Sequence, residues 1–243
     1  MKKKKVILLS FLIAAALLFG GVGAYLLDYY HADPIVQEIM EQSANQISVL
    51  QNEKGELCFI PKDPVTGLIF YPGAKVEYTS YVPFMCELAK NGLLCVLLQM
   101  PANIAILGQN AADGIPSRYP YIENWYMAGH SLGGAMAASY AAKHADDFQG
   151  LILLASYSTV DMGNTDLDVL SIYGSEDLVL NMENYEANKV NLPDDFSEYI
   201  ISGGCHAYFG SYGFQKGDGT PDITNEEQIA ATVEQILDFV RID

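Results

Sequence analysis

The hydrophobic positions fall into short, dense runs separated by amphipathic stretches. Gly67 to Tyr71, Leu93 to Gln99, Tyr126 to Gly129, Gly150 to Ala155 and Asp168 to Tyr173 are largely apolar and of strand length. Runs that lack polar alternation suit parallel strands covered on both faces. Leu57 to Ile60, closed by Pro61, and Ser197 to Ser202 read as further strands. Helical spacing fills the gaps. Tyr81 to Asn91 places Val82, Met85, Leu88 and Ala89 on one face and stops at Gly92. Gly133 to His144 reads as an Ala-rich helix and Asn181 to Asn188 as a short one. Asn225 to Val240 carries Ile229, Val233, Ile236, Leu237 and Val240 on one side. Strands alternating with helices predict an α/β class, a mostly parallel sheet with helices on both faces.

Two stretches are less regular. Pro101 to Glu123 is expected to hold one short helix before Gly114, then a loop with Pro116 and Pro120. Residues 28–54 read as a polar, partly helical lead-in, with Ile35, Ile39, Ile47 and Leu50 lying on a single domain at 55–243. Repeats, low-complexity tracts and a second domain are absent from the sequence. The short link from Ala155 to Asp168 implies that there is no lid.

Residues 1–27 stand apart. Lys2 to Lys5 precede an apolar run from Val6 to Leu27. As a helix that run spans about 33 Å at ~1.5 Å per residue, close to a bilayer core. With the lysines held inside, everything after Leu27 lies beyond the cytoplasmic membrane. An uncleaved single-pass anchor and a signal peptide cut after Val22-Gly23-Ala24 both remain open. Either one places the domain outside, membrane-anchored or secreted.

Composition narrows the partners. Half of the 243 residues are hydrophobic, which excludes a disordered chain. The net charge is −17, and four of the 13 basic residues are in the N-terminal cluster. Such a surface repels nucleic acid. Cys58, Cys86, Cys95 and Cys205 are irregularly spaced and read as buried free thiols, although an oxidising compartment permits disulfides. There is no C-x-x-C or H-x-x-x-H spacing, so no metal or other cofactor is expected.

Candidate chemistry centres on Gly129-His130-Ser131-Leu132-Gly133. A strand that turns at once into a helix strains one residue and exposes its side chain, and near-absent side chains are needed two positions to either side. Gly129 and Gly133 meet that need. Ser131 then stands at a helix N-terminus, where amides and dipole favour a developing anion. In open α/β sheets, sites form beyond the carboxyl ends of strands. His206 lies there, four residues past Ser202. His31 is in the lead-in, His130 is inside the turn, and His144 ends the following helix. Asp177 lies four residues past Tyr173, with Glu176 and Asp161 as competing carboxylates. The order Ser, acid, His suits nucleophilic acyl transfer by Ser131, with His206 as base and Asp177 orienting it. Two N–H donors for the tetrahedral oxyanion are expected from Leu132 and Ala74.

On these residues the chain resembles an α/β-hydrolase over most of 55–240. Three stretches are closer still to small, lidless bacterial hydrolases related to the dienelactone-hydrolase group, many of them membrane-anchored. They are Tyr71-Pro72-Gly73-Ala74-Lys75-Val76, Met100-Pro101, and Cys205-His206-Ala207-Tyr208-Phe209-Gly210-Ser211-Tyr212-Gly213 with Gln215-Lys216-Gly217-Asp218-Gly219. The resemblance implies an α/β-hydrolase fold and a serine esterase for small or medium esters, and it favours Asp177 as the acid. There are two departures. Ser131 stands where dienelactone hydrolases use Cys, and the turn reads Tyr-Pro-Gly where many esterases carry His-Gly. Tyr208, Phe209 and Tyr212 either line a substrate pocket or pack their loop. A peptidase or amidase on the same residues, and a catalytically silent binding module, stand as alternatives.

Overall fold

The computed structural model describes residues 26–241 and, of the segment before them, Gly20, Gly21 and Gly23. The anchor or signal-peptide reading of residues 1–27 therefore falls almost wholly outside the described residues. Among the described residues, no helix is long and apolar enough to cross a membrane.

The strands are β1 (Ser48–Gln51), β2 (Leu57–Ile60), β3 (Thr66–Tyr71), β4 (Leu93–Leu97), β5 (Asn124–His130), β6 (Gly150–Leu154), β7 (Asp168–Gly174) and β8 (Ser197–Ile201). They form one sheet in the order β1-β2-β4-β3-β5-β6-β7-β8. The sheet is parallel from β4 to β8, and β2 and β1 extend it antiparallel. The apolar runs are buried on both faces because helices cover both. On one face Leu68, Phe70 and Leu97 meet Phe84, Met85 and Leu88 of α2 (Val82–Lys90) and Ile229, Val233 and Ile236 of α6 (Asn225–Val240). On the other, Ile69, Val96 and Met127 meet Ala137, Ala138 and Ala141 of α4 (Leu132–Lys143). The small side chains of α4 let it lie close to the sheet. A short helix, α5 (Met182–Asn188), follows β7, and α6 is fixed at its start by a reciprocal cap between Thr224 and Glu227.

Two expectations are corrected. Residues 28–54 are part of the domain. They supply α1 (Ile35–Ser43) and β1, whose Val49 pairs with Phe59 of β2. Val36 and Ile47 are buried there, whereas Ile35 and Leu50 are exposed. β1 was hidden because an edge strand with mostly exposed side chains shows no hydrophobic alternation. In the irregular stretch, the helical turns before Gly114 are the short 3-10 segments Pro101–Asn103 and Ala105–Gly108, and the short helix α3 (Ile115–Arg118) takes the place of the expected loop. Gly114 at φ 73° enters that helix, and Pro116 sets its first turn. The link between β6 and β7 carries no helix.

Candidate active site

The sharp turn between β5 and α4 is where the sequence places it. Ser131 adopts φ 54° and ψ −126°, a conformation that L side chains rarely take. Close packing holds it there. A Cβ on Gly129 would lie 2.6 Å from the Gly133 carbonyl, and one on Gly133 would run into the Tyr71 and Pro72 carbonyl oxygens. The start of α4 is thus pressed against both its own strand and the turn after β3. The Ser131 amide donates to the Leu154 carbonyl (2.9 Å), and the Ser131 carbonyl accepts from Ser156 Oγ (2.7 Å).

Beyond the carboxyl ends of β7 and β8 the structure brings Asp177 and His206 together. His206 Nδ1 lies 2.8 Å from Asp177 Oδ2, with both side chains almost fully buried. The other carboxylate oxygen accepts the Val179 (2.9 Å) and Leu180 (2.7 Å) amides. A carboxylate so anchored is an acceptor, so His206 donates from Nδ1 and turns Nε2 away from the acid. That Nε2 is buried and has no hydrogen-bond partner among the described residues. Neither rival carboxylate reaches it. Glu176 accepts from Ser175 Oγ, and Asp161 turns back on the Gly163 amide.

Ser131, Leu132 and His206 line one cleft of about 320 Å³, together with Met136, Tyr157, Val179 and Leu180. Its wall is largely apolar, and Ser131 stands at its edge beside the first amides of α4. Of the amides in the turn after β3, Gly73 donates to the Tyr81 hydroxyl (3.1 Å) and Lys75 to the Asn103 carbonyl (2.8 Å). The amides of Ala74 and Leu132 have no acceptor among the described residues. They are the two amides expected to serve an oxyanion.

The aromatic residues after His206 resolve the other way from a pocket lining. Phe209 is buried against His130 (ring centroids 5.6 Å), Tyr212 is buried beside Tyr30 (5.6 Å), and Tyr208 stacks near Phe214 (5.8 Å). They pack the loop, and none of them lines the cleft. Lys75 forms an ion pair with Asp28 (2.9 Å). All four cysteines are buried free thiols. Among the described residues, no group of three or more His, Cys, Asp or Glu gathers to hold a metal ion.

Several supports escaped the sequence reading. Asp218 accepts the amides of His206 (3.2 Å), Ala207 (2.8 Å) and Gly219 (2.9 Å), and at 3.4 Å that of Leu178, so it ties the loop that carries His206 to the one that carries Asp177. Gln228 on α6 is fully buried and clamps both backbone groups of Cys205 (2.9 and 2.8 Å). Tyr81 and His130 form a buried pair behind the turn after β3 (2.8 Å). Asp218 and His130 fall inside stretches quoted above, but nothing in those stretches announced these partners.

Solved structures show the same fold. TT1662 from Thermus thermophilus superposes with a TM-score of 0.53 at 14% identity, over 67% of this chain and 91% of that one. A predicted CIB-like hydrolase from Thermoplasma acidophilum gives 0.52 at 15% identity, over 78% and 98%. No curated protein matches. The family model described as the alpha/beta hydrolase family matches residues 67–230, from β3 into α6. That span holds Ser131, Asp177 and His206 and covers more than half of the chain, which therefore belongs to the α/β hydrolase family and is a hydrolase.

Proposed function

We propose that the protein is a serine carboxylesterase for small or medium esters, working beyond the cytoplasmic membrane through an acyl-serine intermediate. One observation carries the reading. His206, fixed by Asp177 and with a buried Nε2 that has no partner among the described residues, lines the same cleft as the strained Ser131. In the proposed reaction His206 Nε2 takes the Ser131 proton as Oγ attacks the ester carbonyl. Asp177 holds the imidazole tautomer and stabilises its charged form. The Leu132 and Ala74 amides receive the oxyanion, and losing such a donor costs about 2.7–4 kcal/mol of barrier. Collapse of the intermediate breaks the C–O bond, and His206 returns the proton to the leaving alcohol. Water, activated by the same base, then frees the acid. The external location rests on the lysine-led apolar run at residues 1–27.

The test is active-site labelling with a fluorophosphonate, combined with turnover of paired ester and amide substrates. The wild type is expected to label and to favour the ester, and Ser131→Ala to do neither. Equal labelling of the two proteins would overturn the assignment of Ser131, and faster amide turnover would make the protein an amidase.

A further inference from the structure

We propose that Tyr81 and His130 are positioning residues that act as one unit, orienting the Ala74 amide for the oxyanion. The proposal rests on the serine-hydrolase reading above. The Ala74 N–H belongs to the peptide unit between Gly73 and Ala74. Both neighbouring peptide units are pinned. The one before it is held by Gly73 N–H donating to Tyr81 Oη (3.1 Å), and the one after it by Lys75 N–H donating to the Asn103 carbonyl (2.8 Å). The middle unit is therefore fixed from both sides and keeps its own N–H unspent. Tyr81 is fully buried, so its hydroxyl proton also needs an acceptor within the protein. His130 Nδ1 at 2.8 Å is that acceptor. The chain of bonds thus has one direction, from Gly73 N–H to Tyr81 Oη and from Tyr81 O–H to His130 Nδ1. This requires a neutral His130 with its proton on Nε2, a buried nitrogen that has no hydrogen-bond partner among the described residues.

Two further observations agree. A Cβ on Gly73 would sit 2.8 Å from His130 Nδ1 and 2.9 Å from Tyr81 Oη, so the turn rests directly on the pair. Burial and the neighbouring His206 push the His130 pKa well below the ordinary imidazole value, outweighing the opposite effect of the His206 backbone. The ring of His130 also lies 4.6 Å from that of His206, so the unit borders the base as well as the turn.

The test measures ester hydrolysis per titrated active site in Tyr81→Phe, His130→Phe, His130→Asn and the double Phe variant. Nitrogen NMR of the wild-type His130 ring is recorded alongside. Tyr81→Phe removes only the hydroxyl. It is expected to lower kcat about 10- to 100-fold, part of the loss seen when an oxyanion donor is deleted. KM should stay within about twofold, because a ground-state ester gains little from that amide. His130→Phe should do the same, and the double variant should be no worse than either single one. Asn at 130 can accept from Tyr81 through its side-chain oxygen, so His130→Asn should restore most of kcat. An unchanged kcat per titrated site in His130→Phe would overturn the proposal, even if Tyr81→Phe fails to fold. So would fully additive losses, or an Nδ1-protonated His130. A wild type that neither labels at Ser131 nor turns over esters would instead overturn the underlying reading, while the NMR tautomer still decides the Tyr81–His130 bond.

Discussion

At the residue scale, most polar groups around the site are already spent on one another, the buried exceptions among the described residues being Ser80 Oγ and the Nε2 atoms of His130 and His206. Asp177 is filled by two amides and an imidazole, Ser156 holds the Ser131 carbonyl, and Gly73 N–H is occupied by Tyr81. Ser131 and His206 were legible because the G-x-S-x-G spacing and the position after a late strand are local signals. His130 was passed over because its role depends on Tyr81, 49 positions away, and no spacing announces such a partner. Its burial gives a pH prediction. The folded protein holds His130 neutral below the ordinary imidazole value of 6.5. Below about pH 6.5 the unfolded chain therefore binds a proton that the native state refuses. Stability is full above that value and falls as the pH drops, by up to about 1.4 kcal/mol per unit. Urea unfolding of wild type and His130→Asn between pH 7.5 and 5 should show the variant losing up to about 2 kcal/mol less over that range. Parallel curves would contradict it.

At the element scale, the parallel core was readable almost to the residue. β2 and α6 run as predicted, and β4, β5, β7 and α4 differ only at their ends. Dense apolar runs and Ala-rich spacing are strong when an element is buried on known faces. β1 and α3 lacked that signal, one lying at an edge and the other being a single turn. What no periodicity reveals is how the loops beyond the strands are tied together. Asp218 does this with one carboxylate shared among amides of the two loops that carry His206 and Asp177. Hydrogen bonds to a charged acceptor are each worth about 1.5–3 kcal/mol. Asp218→Ala should therefore cost about 2–4 kcal/mol in stability, since the loops recover some bonds to water. kcat should fall at least about tenfold, because the two loops lose their common anchor. Denaturant midpoints and kcat per labelled site measure the two effects, and an active variant with wild-type kcat would show that Gln228 suffices to hold the loop.

At the scale of the whole molecule, the residues nearest the apolar N-terminal run are built into the face that carries Ser131 and His206. The Tyr30 amide donates to the Lys75 carbonyl (2.7 Å), and the Tyr30 carbonyl accepts from Glu77 (2.8 Å), immediately after the Ala74 turn. The Tyr30 hydroxyl accepts from the Lys216 amide (3.0 Å), and the Asp33 amide donates to Ser211 (2.8 Å), both in the loop that follows His206. Residues 28–33 are thus a strap joining the two sides of the site. The composition of that stretch is polar and gave only a lead-in, since backbone pairing by a short segment leaves no side-chain pattern. Cleavage after Ala24 would leave the strap intact, so anchored and secreted forms are expected to be equally active. A chain beginning at Pro34 would lose all four bonds. At about 0.5–1.5 kcal/mol each, with partial replacement by water, the cost is about 2–3 kcal/mol. For a domain of this size that lowers Tm by about 4–12 °C. The same deletion frees the segment after Ala74 and should reduce kcat more than it changes KM. Calorimetry and ester turnover on chains starting at Asp28 and at Pro34 compare the two directly. Equal Tm and equal kcat would mean that the strap is only a tether.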